Sequence, residues 1–171
     1  MNIISRVGYK HPAWQTLIIF TLGFWLSASI FLDWVIMPSL YVSGMMSQSN
    51  FASAGYLMFW NFNRIELLCA ALVVTGFFVI QKVQVGAESD YNSNTWLSRS
   101  AIVLAIILMS VSLIDTYLLT PQMSAIGMQL NLFETSSAIP SGMGVMHSIY
   151  WLLDGVKLLV GGLLISICLR R

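Results

Sequence analysis

The chain has 171 residues, of which 57% are hydrophobic and only 9% charged, with a formal net charge of +1 and a mean hydropathy of +0.79. A soluble domain carries about a quarter of its residues as charges, so this composition excludes a soluble enzyme core and a basic nucleic-acid-binding face. The expected fold class is all-α: a polytopic membrane protein, one four-helix domain over residues 1–171.

Four apolar runs are each long enough to cross a bilayer core, which takes about 20 helical residues. They extend from about Trp14 to Pro38, Gly55 to Gln81, Leu97 to Thr120 and Val145 to Leu169. Arg6 and Lys10 precede the first run, and Ser27, Ala28 and Ser29 lie inside it, as in a signal peptide. The run continues far past an h-region of about 7–15 residues, however, so the spacing predicts a retained span. The connections are a short loop 41–54, a polar link 82–96 and a longer loop 122–144, none patterned as a second folded unit.

Basic residues set the expected orientation, because Lys and Arg concentrate in cytoplasmic segments. Arg6, Lys10, Lys82, Arg99, Arg170 and Arg171 fall on the side of the termini and the middle link, whereas loops 41–54 and 122–144 contain neither Lys nor Arg. Both termini are expected in the cytoplasm. Cys69 and Cys168 would lie about 14 Å apart along parallel helices, too far for a disulfide, which needs alpha carbons within about 7 Å. They read as packing residues.

The chain reads as two related helical hairpins. SIFLDWVIMPSLYVSGM and VSLIDTYLLTPQMSAIGM match Asp33 with Asp115, Pro38 with Pro121 and, after one gap, Gly44 with Gly127. RIELL in the second span echoes GVKLL in the fourth. Such repeats share topology and imply a pseudo-twofold axis along the membrane normal. The alternative is convergent helix-end chemistry, with proline stopping each helix.

Ionisable residues in hydrocarbon cost about 2.5–3.5 kcal/mol each even on lenient scales, so they normally face the bundle and pair. Asp33 and Asp115 sit near the outer interface. Arg64 and Glu66 are about nine and eleven residues into the second span, flanked by Asn61 and Asn63, and about 200° apart on the helix. In the fourth span His147, Tyr150, Asp154 and Lys157 share one stripe. Together they form a polar cluster in the outer half: Asp33, Asn63, Arg64, Glu66, Asp115, His147, Tyr150, Asp154 and Lys157.

If all are ionised, four carboxylates face Arg64 and Lys157, leaving an excess of two negative charges. A low-dielectric interior then requires protonated carboxyls, a protonated His147 or a bound cation. A plainer reading makes Asp33 and Asp115 wet interfacial residues, with Glu66–Lys157 and Arg64–Asp154 as interhelical ion pairs that fix packing.

Methionine adds a further reading. Eight of the ten methionines fall in the outer loops or helix ends, and Met143, Met146 and His147 form an M-x-x-M-H cluster whose thioethers and imidazole suit Cu(I). Met is also a flexible apolar filler. A haem between two helices would want a second membrane histidine, and His11 precedes the first span. No nucleophile elbow, phosphate loop or HExxH motif occurs. No enzyme activity and no cofactor are expected.

FNRIELLCAALVVTG in the second span, FWLSASIFLDWVIMPSL in the first and a fourth span opening on His147 give a family likeness. The chain resembles the small four-helix bacterial membrane domain of unknown function related to transmembrane protein 205, and more distantly copper-resistance D-type membrane proteins. The family's recognisable polar positions correspond to Asn63, Arg64, Glu66 and His147; Asp154 and Lys157 lie outside that pattern. The resemblance implies a bacterial inner (plasma) membrane, or a thylakoid membrane in a photosynthetic source.

Three functions follow as expectations. The first is an accessory or assembly subunit whose polar pairs specify packing and whose Trp- and Phe-rich surface meets lipid, a larger membrane complex or a second copy. The second is a proton or small-cation transporter or channel using the carboxylates, with His147 guarding the outer entrance. The third is copper handling through the outer Met and His residues.

Overall fold

The computed structural model describes residues 12–45, 51–86, 94–133 and 142–170, and among these it contains helices and no strand. Four rods are long and apolar enough to cross a membrane. The rod α1 joins Pro12–Phe31, a π-helical turn Leu32–Ile36 and Met37–Val42. The second, α2, is Phe51–Gly86. The third, α3, joins Asn94–Ile114, a π-helical turn Asp115–Leu119 and Thr120–Phe133, and α4 is Met143–Leu169. This is the all-α membrane bundle expected from composition.

The rods outrun the expected spans at both prolines. A proline has no N–H and crowds the preceding turn, so Pro38 and Pro121 read as stops. Instead, each is preceded by a turn in which the ladder shifts to i→i+5: Met37 N–H donates to the Leu32 carbonyl, and Thr120 N–H to the Asp115 carbonyl. The inserted residue makes room for the ring, and the helix continues. α1 ends at Gly44, whose φ of 72° belongs to the left-handed region that favours glycine.

Neighbouring rods run antiparallel in a ring α1–α2–α3–α4. Trp25 and Ser29 meet Glu66 while Ile18 meets Gly76; Asp33 meets Tyr150 while Leu26 meets Gly161. Buried positions repeat between the hairpins at one fixed offset for each pair of equivalent rods. In α2 and α4 they pair as Asn63 with Asp154, Glu66 with Lys157, Val73 with Leu164 and Phe77 with Cys168. In α1 and α3 they pair as Ile18 with Ala101, Leu22 with Ala105, Ser29 with Ser112 and Asp33 with Thr116. The two prolines and π turns obey the same register, so the structural partner of Asp33 is Thr116, not the neighbouring Asp115. That one-residue offset points the two aspartates at different partners.

The interior is divided lengthwise. Toward the end carrying Lys82, Arg99 and Arg170 it is apolar, built from Ile18, Leu22, Val73, Phe77, Ala105 and Leu164. Cys69 and Cys168 are both buried in this core. Without a hydrophobic drive between helices in lipid, close van der Waals fit holds such a core. Gly161 lets Leu26 approach, and Gly76 lets Ile18 approach to 2.8 Å from where a Cβ would stand. Gly76→Leu is therefore expected to destabilise the bundle by about 1–3 kcal/mol through overpacking, and Ile18→Ala in the same chain to recover part of that. Thermal unfolding in detergent measures both.

Candidate functional site

Toward the opposite end the interior is polar. Glu66, Asp115, Asp154 and Lys157 are each 2% exposed or less, and Asp33 is 3% exposed. The Lys157 ammonium stands at the centre, 3.1 Å from Glu66 Oε2, 3.1 Å from Asp115 Oδ2 and 3.5 Å from Asp154 Oδ1. The expected Glu66–Lys157 pair is present, and it crosses the diagonal of the bundle between equivalent positions of the two hairpins. Asp33 joins the cluster through Tyr150, whose hydroxyl donates to Asp33 Oδ1 at 2.9 Å. The stripe expected on the fourth span is real for Tyr150, Asp154 and Lys157, all buried.

Arg64 departs from expectation. It is exposed on α2 with its guanidinium 4.3 Å from the centroid of the Trp60 ring, and the Arg64–Asp154 pair does not form. The 100° helical step allows only one of Arg64 and Glu66 to face the interior, and Glu66 takes that place. Asp154 is held by Lys157 on its own helix instead. Asp33 and Asp115 are buried rather than wet, because the π turns carry the helices past them. Asn63 is buried and donates to Thr120 Oγ1 at 2.6 Å. His147 is exposed, its ring beside those of Tyr150 and Trp151. The side chain of Met143 lies outside the described residues, as does His11; Met146 is half-buried. Among the described residues no three of His, Cys, Asp and Glu converge to hold a metal ion.

Two partners of Glu66 were not foreseen. Trp25 Nε1–H donates to Glu66 Oε1 at 2.8 Å, and the Ser29 hydroxyl donates to the same oxygen at 3.1 Å. With Lys157 donating to both oxygens at 3.1–3.2 Å, Glu66 is a well-satisfied carboxylate. The remaining acids are less well served: Asp33 Oδ2 and Asp115 Oδ1 are buried with no hydrogen-bond partner among the described residues.

The loss of Arg64 from the interior sharpens the charge problem. Four carboxyls face one ammonium, an excess of three negative charges if all were ionised. A low-dielectric site cannot hold that excess without bound protons or a counter-cation. The five cluster residues all fall within the four spans apolar enough to cross a membrane. Counting about 20 residues, roughly the thickness of a 30 Å core, from Lys82, Arg99 and Arg170 reaches Phe62, Leu119 and Tyr150. Trp34 and Trp151 stack edge-on at this level, 5.9 Å between centroids, as an interfacial aromatic belt would. Lys157 is then about 10 Å beneath the belt. Fold and site thus define a bundle of four membrane-spanning-length helices with an acidic core in one half. No family model, curated protein or solved structure matches the chain.

Proposed function

We propose that this protein handles protons or small cations within the membrane, with Asp33, Glu66, Asp115 and Asp154 as the exchanging carboxyls and Lys157 as their fixed counter-charge. The observation that carries this reading is the buried excess of acids over bases around Lys157, with carboxylate oxygens left unpartnered. A purely architectural ion pair needs one acid per base, and extra buried acids weaken a bundle that they do not otherwise serve. Infrared titration of the purified protein tests it: a protonated-carboxyl band that fades as pH rises, and shrinks in Asp33→Asn and Asp115→Asn, is expected. The absence of any such band would remove the proposal.

A second reading, the accessory or assembly subunit, draws on Arg64. An arginine exposed near the belt beside Trp60 suits a partner chain or a second copy in the same membrane. Migration as a lone monomer in gentle detergent, with nothing retained, would contradict it. The kinship with the domain related to transmembrane protein 205, the bacterial inner-membrane or thylakoid location and the cytoplasmic termini are part of the same proposal. They are supported by Asn63, Arg64 and Glu66 and by the one-sided distribution of Lys and Arg. Copper handling finds less support, since His147 turns its ring to Tyr150 and Trp151.

A further inference from the structure

We infer that the exchanging species is the proton rather than a metal cation, and that it reaches the cluster from one face only, by way of Asp33 and Tyr150. The inference rests on the proton- or cation-handling reading and narrows it.

The identity of the species follows from what already occupies the centre. A cation binding between Glu66, Asp115 and Asp154 would need the position that the Lys157 ammonium holds at 3.1–3.5 Å from all three. A second full charge beside that ammonium meets strong repulsion at low dielectric. A proton needs no such space. It goes onto a carboxylate oxygen, and Asp33 Oδ2 and Asp115 Oδ1 are free to take one.

Sidedness follows from the lengthwise division of the core. From Glu66 to Ile80 the interior runs for about 21 Å through apolar side chains, and Thr21 is the one buried polar side chain among the described residues of that half. A proton has no stepping stone there. On the other side the exposed His147 ring lies beside Tyr150, and Tyr150 OH donates to Asp33. The groups facing Asp33 are Tyr150, Asp154 and Lys157 from α4 and Glu66 from α2, with Asp115 of α3 across Lys157. Tyr150 is the hydroxyl that connects Asp33 to this set, and the ammonium lies 5.8 Å from the centre of its ring.

Trp25 supplies the readout, because its indole N–H reports directly on Glu66. The protein is reconstituted in liposomes sorted by the face that a C-terminal tag presents, and the external pH is jumped. The signal is wild-type tryptophan emission minus that of Trp25→Phe. A fast response is expected only when the jump is applied at the face away from the C-terminus, with no response to added sodium or lithium at fixed pH. Tyr150→Phe, which keeps the ring and removes the hydroxyl, should slow that response by about a hundredfold. Equal responses from both faces overturn the sidedness, a response to alkali cations overturns the proton, and an unchanged rate in Tyr150→Phe overturns the route. A protein silent to pH even in detergent, where both faces are wet, would instead sink the parent reading.

Discussion

Lys157→Met is expected to destabilise the folded bundle by about 3–5 kcal/mol at neutral pH, the usual cost of leaving a buried charge without its partner. Lys157 is the only buried base among the described residues, and three carboxyls share it. Methionine fills similar volume, so the loss reports charge rather than a cavity. The defect should also carry a pH signature. Acid removes the uncompensated negative charge by protonating the carboxyls, so the variant should recover toward the wild-type midpoint as pH falls and weaken as pH rises. Thermal unfolding in detergent between pH 5 and 9 gives both quantities. A pH-independent loss would mean that Lys157 acts by packing alone.

Glu66→Leu should cost a similar amount, about 3–5 kcal/mol, with a different pH signature. Removing this side chain strands the Trp25 N–H and takes from Lys157 the carboxylate that accepts two of its hydrogen bonds, while the Ser29 hydroxyl keeps the Trp25 carbonyl. The ammonium keeps Asp115 and Asp154, so the damage is chiefly orphaned donors. Acid cannot repair a missing acceptor, so little of this loss should return as pH falls. Glu66→Leu should therefore stay destabilised on acidification, where Lys157→Met recovers. Parallel pH profiles for the two variants would contradict the division of roles. Asp154→Asn, which touches only the longest of the three ion contacts at 3.5 Å, serves as the mild comparison.

The residues explain how much of this was legible beforehand. Span number followed from composition and length, which the bilayer enforces. The Tyr150, Asp154 and Lys157 stripe and the Glu66–Lys157 pair followed from the 100° step of a regular helix. Arg64 was not legible: the step shows that Arg64 and Glu66 oppose each other, but either charge could face inward, and the choice is made by Trp25 and Ser29 on a neighbouring helix. Those two partners share a helix face with Asp33 at four-residue spacing, a signal present in the sequence and overlooked because Trp and Ser are common in membrane spans. The π turns hid the depth of Asp33 and Asp115. A proline rule written for regular helices stops the chain at Pro38 and Pro121, whereas an i→i+5 turn absorbs the ring and turns the following residues to a new face. The same turns show why Asp33 and Asp115, matched in the sequence repeat, occupy different structural positions.

The most direct test of proton exchange at this cluster is labelling of the purified protein with a hydrophobic carbodiimide across pH 5 to 9, followed by peptide mapping, because the reagent modifies carboxyls that are protonated in apolar surroundings. Modification should centre on Asp33 and Asp115 and fade as pH rises, with Glu66 labelled least because three donors hold it. No modification of any of the four acids at any pH would contradict proton exchange, and would leave the cluster a fixed structural joint between the two hairpins.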